Sequence, residues 1–219
     1  MSENISEYKD KESGPRVEVH FDMKSEVGRV SDTIKNLAWY KENGYQENAY
    51  RLPVGVGVET APEEIERLVG ESFEEDKYFE AGEYIKNNWE ILSRGLAELS
   101  SIGGFKIFDE YKIILSRYGT GGSYNSKNGE IIVNIDLRMP DKIMGTIAHE
   151  IVHIGIQHLI DQYHIKHWDK ERLVDLVGER YFSGQRKMQN IEGAERVDRA
   201  FKQFFPDIEA VVSAIAKED

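Results

Sequence analysis

The sequence predicts an α+β fold, in which a mostly antiparallel sheet lies beside a long helix and is surrounded by other helices. Residues 145–154 carry isoleucines at steps of four and three, which is typical of a helix with one buried face. Residues 16–21 alternate polar and apolar side chains, as half-buried strands do. Residues 111–115 and 130–135 are short apolar runs, and an Asn-Gly turn signal precedes the second run.

The chain divides by its patterns into three parts. Residues 1–15 are polar and charged and end in Gly-Pro, which predicts a disordered tail. Residues 16–102 are expected to form an N-terminal α/β or helical subdomain, and residues 103–219 a second domain that carries the chemistry. Within these parts, the alternating valines and glycines of residues 52–58 predict a strand, and the glycine-rich residues 119–124 predict a flexible loop.

Composition limits the classes of function. With 40% apolar residues the chain can bury a core, and without cysteine it can form neither a disulfide framework nor a thiolate metal site. The net charge of −12 argues against nucleic acid and anionic membranes as partners, because phosphate binding needs clustered lysine and arginine. The N-terminus lacks the pattern of a signal peptide, and no apolar run is long enough to span a bilayer. We therefore expect a cytoplasmic protein, of an oligomeric state that the sequence leaves open.

The helix at residues 145–154 contains the motif His149-Glu150-x-x-His153. Residues four apart lie one above the other on a helix, so the two histidines can present their imidazoles to one metal ion. Glu150 projects nearby and can act as the base toward a water bound to that ion. The motif is also compatible with a second interpretation, in which the two histidines bind no metal and are packed or hydrogen-bonded on a buried helix.

A metal site needs a third protein ligand, and the chain offers several downstream. Glu171 lies 18 positions beyond His153 (171 minus 153), on a second predicted helix that also carries Asp175 one turn later. His164 and His167 are alternatives, and they would give a three-histidine site. The glycine that usually permits the turn in the three-histidine pattern is not at the required place between His153 and His164, which favours Glu171.

The two motifs together, His149-Glu150-x-x-His153 and Glu171-x-x-x-Asp175, resemble the gluzincin group of zinc metallopeptidases, the thermolysin-like class. The resemblance implies a zincin-like fold for the second domain, in which the strand at residues 130–135 is the edge strand beside the helix. It also implies a zinc ion held by the two histidines and Glu171. It further implies that Glu150 activates water and that Asp175 holds a zinc-bound histidine in orientation.

These observations predict a zinc-dependent hydrolase that cleaves a peptide or protein substrate. Two other functions stay open, a catalytically silent zinc-binding scaffold or regulatory protein and a zinc hydrolase that acts on a non-peptide amide. A hydrolase also needs a donor that stabilises the oxyanion of the transition state. The candidate donors near the motifs are His158, Tyr163, His164, His167 and Tyr181.

Overall fold

The computed structural model describes residues 14–137, 140–183, 188–189 and 191–217. The strands are β1 (Arg16–His20), β2 (Tyr50–Arg51), β3 (Glu110–Ser116), β4 (Gly119–Thr120), β5 (Gly122–Asn125) and β6 (Glu130–Asn134). The helices are α1 (Met23–Lys35), α2 (Leu37–Glu42), α3 (Pro62–Ser72), α4 (Glu75–Asn88), α5 (Glu90–Leu99), α6 (Pro140–Tyr163), α7 (His167–Tyr181), α8 (Glu195–Phe204) and α9 (Ile208–Lys217). The α+β class is confirmed. Most of the predicted tail, residues 1–13, lies outside the described residues.

The main sheet is mixed, so the prediction of a mostly antiparallel sheet is wrong. Its strand order is β1-β3-β6-β5, with β1, β3 and β6 parallel to one another and β5 antiparallel to β6. Parallel strands need a long crossover, which the helices α1–α5 provide between β1 and β3. After β3 the chain runs back as β5 before it enters β6, so β6 takes the direction of β3.

An edge strand does lie beside α6, but it comes from a different segment than expected. The segment at residues 130–135 forms β6, which lies inside the sheet between β3 and β5. The edge is β5, formed by residues that were predicted to be a flexible loop. The strand predicted at residues 52–58 is also absent: this segment is made of turns, and Gly55 has a φ of 86°, which fits a turn and not a strand.

Helix α6 is the centre of the hydrophobic core. Between Ile143 and Ile156 most of its side chains are buried, because the helix packs against the sheet on one side and against α7 and α9 on the others. No described helix is both long and apolar enough to cross a membrane. The same core contains Tyr78 and Leu92 from α4 and α5, so residues on both sides of position 102 contribute to it.

A buried carboxylate fixes α1 against the sheet. Glu26 is fully buried and accepts hydrogen bonds from the Tyr78 hydroxyl, from Ser116 Oγ at 2.6 Å and from the backbone N–H of Arg117 at 2.7 Å. Three donors compensate the cost of burying this group. Because Arg29 follows Glu26 by three positions, it lies on the same side of α1 and is held close to the sheet as well.

Gly95 tests the packing of α5 against the end of α7. A Cβ atom at this position would lie 2.5 Å from Phe182 Cε1 and 2.6 Å from the Tyr181 carbonyl oxygen. We expect Gly95→Ala to lower the free energy of unfolding by about 1–3 kcal/mol, because the backbone must shift. Gly28 in α1 has nothing within 4 Å of such an atom. The matched change Gly28→Ala should raise the free energy by about 0.5–1 kcal/mol. Urea unfolding measures both, and equal effects would contradict the prediction.

Candidate metal centre

Helix α6 brings two imidazoles together in the protein interior. His149 and His153 are 6% and 3% exposed, and their Nε2 atoms lie 3.0 Å apart. Ile147, Ile151 and Ile154 are buried on other sides of the helix, so core packing fixes the rotation that points both rings at α7. The motif histidines are thus held at one place by the packing of α6.

Helix α7 adds a carboxylate to this pair. Leu173, Val174 and Val177 are fully buried and hold α7 beside α6. Glu171 then lies between the two rings: its Oε2 is 3.3 Å from His149 Nε2, and its Oε1 is 3.3 Å from His153 Nε2. These three side chains form a buried group that could hold a metal ion.

The spacing of the three side chains can be compared with that of ligands around one ion. Bonds of about 2.0–2.1 Å to a tetrahedral zinc ion place neighbouring ligand atoms about 3.3–3.4 Å apart. The Nε2 atoms of His149 and His153 lie 3.0 Å apart, and each lies 3.3 Å from a different carboxylate oxygen of Glu171, so each pair of facing atoms is close to this spacing. Three protein ligands would leave one position of such an ion open.

The charges of the group also suit a divalent cation. Burial and the neighbouring His149 lower the pKa of His153 to about 3, so this imidazole is neutral at pH 7. Burial alone raises the pKa of Glu171, but the two imidazoles beside it outweigh burial and hold that pKa well below its usual range. A neutral imidazole and an ionised carboxylate are the forms that bind metal.

Two further residues support the ligands from behind. Asp175 Oδ1 lies 3.4 Å from His149 Nδ1, the ring nitrogen on the side away from Glu171. Gln189, which the sequence did not predict, donates its backbone N–H to Asp175 at 2.6 Å and its side-chain amide to Glu171 at 3.5 Å. On the other side, the Tyr124 ring stacks on His153 with the ring centres 4.9 Å apart. These contacts restrict the rotation of the ligands.

The two alternative ligands lie outside the group. His164 has a φ of 53° and ends α6, where the N–H groups of His164 and Ile165 bond to the carbonyls of Asp161 and Ile160. This hydrogen-bond pattern is typical of a helix C-terminus, where the residue with positive φ is usually glycine. The backbone of His164 therefore has a structural role. His167 lies closer, with Nδ1 3.9 Å from Glu171 Oε1, and its Nε2 is 3.3 Å from the Tyr45 hydroxyl.

An open cavity of about 670 Å³ lies over the group. Of the candidate oxyanion donors, His167 is among the described residues that line it, and the other four are not. His164 lines an adjoining cavity, and Tyr181 lines a more distant one. The Tyr163 hydroxyl donates to Glu209 at 3.1 Å. His158 is half-buried at the far side of α6, where burial and Lys106 lower its pKa.

Edge strand β5 and residues from α1, α2 and the segment after α2 form the walls of this cavity. Glu150 is 6% exposed and faces β5: a Cβ atom at Gly122 would lie 2.4 Å from its Oε1. Glycine at this position therefore makes room for the motif glutamate. The opposite wall contains Trp39, Tyr40 and Tyr45, and Arg29 also lines the cavity. Sequence reasoning missed these residues, although the clustered aromatic residues after position 38 were a usable signal.

Metal binding by the variants tests which residue is the third ligand. Glu171→Ala should weaken zinc binding severely, because it removes the ligand atom and leaves two histidines. His164→Ala and His167→Ala should leave the affinity largely intact. Titration against a chelator of known affinity measures all three. Wild-type affinity in Glu171→Ala would move the third ligand to another residue.

Asp175→Asn tests the support of His149. The amide keeps the shape of the side chain but loses the charge that holds the Nδ1–H of the imidazole. We expect zinc affinity to fall by about 10- to 100-fold, as is typical when a partner of a metal ligand is lost. Asp198→Asn on α8, whose carboxylate pairs with Arg172, is the matched control and should not change the affinity. Equal affinities of the wild type and Asp175→Asn would contradict the role given to Asp175.

Comparisons of the chain with models of protein families, with curated proteins and with solved structures give no match. The chemistry of the cavity must therefore be inferred from its own side chains. These are two imidazoles and one carboxylate that could hold a metal ion, and a second carboxylate, Glu150, that faces β5.

Proposed function

We propose that this chain is a zinc-dependent metallopeptidase, which hydrolyses peptide bonds with a metal-activated water. The observation that carries the proposal is the position of Glu150. This carboxylate follows the first ligand in sequence, is not one of the three ligand residues, and faces the edge strand at the open side of the group. A site that only stabilised the fold would have no use for a carboxylate there.

Zinc fits the ligand set better than calcium or magnesium does. Imidazole nitrogen and carboxylate oxygen are typical zinc ligands, whereas calcium and magnesium prefer oxygen alone. Structural zinc sites usually have four protein ligands, while catalytic sites have three and keep one position open. The group of His149, His153 and Glu171 has the catalytic count among the described residues.

Zinc bound there would polarise the scissile carbonyl and lower the pKa of a bound water to about 7. Glu150 would take the proton of the attacking water and pass it to the leaving nitrogen. Asp175 would hold the Nδ1–H of His149 and so fix the tautomer that offers Nε2 to the metal. His167, which lines the cavity, is the donor that we propose for the oxyanion.

The edge strand supports a peptide as the substrate. One side of β5 pairs with β6, and residues 120–124 line the cavity on the other side. An extended peptide can add to such an edge through backbone hydrogen bonds, which are independent of the peptide sequence. A small non-peptide amide would gain little from this edge. The cavity of about 670 Å³ is within the usual range for ligand sites, which supports an enzyme over a silent scaffold.

Glu150→Gln tests whether the site is catalytic. The amide has nearly the same shape but cannot accept the proton, so turnover should fall by at least about 100-fold. Zinc content should not change, since Glu150 is not a ligand. A mixed peptide library read by mass spectrometry provides substrates for the measurement, and elemental analysis gives the zinc content.

Glu179→Gln, an exposed change on α7, is the matched control and should leave both cleavage and zinc content unchanged. Cleavage that persists undiminished in Glu150→Gln would refute the proposed mechanism. A zinc-loaded wild type that cleaves no peptide would favour the scaffold or the hydrolase of non-peptide amides.

A further inference from the structure

Arg29 is a buried cation in the wall of the cavity. It is 9% exposed, lies on α1, and lines the same cavity as the metal group. Its guanidinium packs on Gly119, where a Cβ atom would lie 2.2 Å from Nε, and Gly119 has a φ of 74°. A glycine is therefore required for this position of the arginine.

The charge of Arg29 has no direct partner among the described residues. Its guanidinium makes one hydrogen bond, from Nη2 to Thr120 Oγ1 at 3.1 Å, and its buried Nε makes none. Burial lowers the pKa of Arg29, while Tyr40 and Glu150 act in the opposite direction through space. A guanidinium stays protonated at neutral pH, so a full positive charge is buried here with most of its donors unused.

Other arginines of the described chain have the carboxylate partner that Arg29 lacks. Three of them are only half-buried, yet each forms an ion pair with a carboxylate. These pairs are Arg117 with Asp136, Arg172 with Asp198 and Arg196 with Asp169. Burial of an unpaired ion is expensive, and such costs persist mainly at functional sites. Lys170, the other cation in the cavity wall, already lies 3.9 Å from Glu171 and 3.3 Å from the Tyr124 hydroxyl.

A short chain of hydrogen bonds joins Arg29 to the edge strand. Thr120 Oγ1 accepts from the arginine and donates to the Gly122 carbonyl at 2.8 Å. Gly122 is also the residue that Glu150 contacts. Arg29 is thus fixed relative to the strand on which a peptide would lie and to the proposed base.

We propose that Arg29 binds a carboxylate of the substrate, close to the bond that is cleaved. The inference rests on the proposed peptidase function and deepens it, because it defines a class of peptides. The carboxylate is either the C-terminal group of the peptide or the side chain of an aspartate or glutamate. Both are planar and match the two parallel donors of a guanidinium.

Four peptide libraries of equal length separate these sources. The C-terminus of each library is either a free carboxylate or an amide. The side chains include either aspartate and glutamate or, in their place, asparagine and glutamine, which gives four combinations. Equilibrium binding to zinc-loaded Glu150→Gln protein, read by mass spectrometry, avoids turnover during the measurement. Cleavage by the wild type is measured on the same libraries.

Arg29→Met, Arg29→Lys and the exposed control Arg94→Met are compared in the same background. We expect a preference for one carboxylate-bearing library that falls at least about 10-fold in Arg29→Met. Arg29→Lys should retain part of it, and Arg94→Met all of it. The library whose preferential binding is lost in Arg29→Met shows whether the bound carboxylate is the C-terminal group or a side chain. No carboxylate preference, or one that survives Arg29→Met, would overturn the proposal.

Stability separates this role from a structural one. Removing an unpaired buried charge should leave the urea midpoint of Arg29→Met unchanged or higher, whereas a large decrease would show that the guanidinium holds the fold and would overturn the proposal. A failure of the proposed peptidase function can be distinguished from a failure of the proposed carboxylate site. If the wild type cleaves nothing but binds carboxylate peptides through Arg29, the peptidase is refuted and the carboxylate site stands.

Discussion

The close packing of α6 against α7 is the constraint on which the metal group depends. Three side chains that each prefer water are buried at this interface, and Glu171 can lie between His149 and His153 only while the two helices stay in register. The apolar residues Val174 and Ile151 set that register, since both are fully buried. The hydrophobic core thus supplies the precision that the ligand distances require, and the ligands themselves contribute little to holding the helices together without a metal.

Two buried ionisable side chains on α1 are accommodated in opposite ways. Glu26 has three hydrogen-bond donors around it and is complete within the folded chain. Arg29, one turn further, has a single acceptor, Thr120. Glu26 fixes the helix on the sheet. The helix, once fixed, can then hold Arg29 in place although most of its donors have no acceptor. Stability at one position allows incomplete pairing at the next, which is how proteins keep reactive groups in defined positions.

The parts that the sequence predicted are those encoded by local patterns. The helices around His149 and Glu171 and the strands at Tyr111 and Ile131 follow from periodicity within a few residues. The direction of the strands did not follow, because it depends on how helices between them return the chain. Strand β5 was missed since Gly122 lowers its strand signal, and that glycine is present for a tertiary reason, the contact with Glu150. The three residues of the candidate metal group could be predicted because their spacing is local. The wall of the cavity could not be, because Arg29 and its neighbours lie more than a hundred positions before the motif.

This difference in sequence distance has a consequence for evolution and design. All three residues of the candidate metal group lie between positions 149 and 171, on two adjacent helices. Recombination or grafting could move this hairpin of helices into another protein as one piece. Such a transfer would carry the metal ligands and Glu150, but it would leave behind the edge strand with Gly122 and the wall formed by α1 and α2. The candidate metal group is therefore a portable module of this chain, while the cavity above it belongs to the fold as a whole and would have to arise anew in each host.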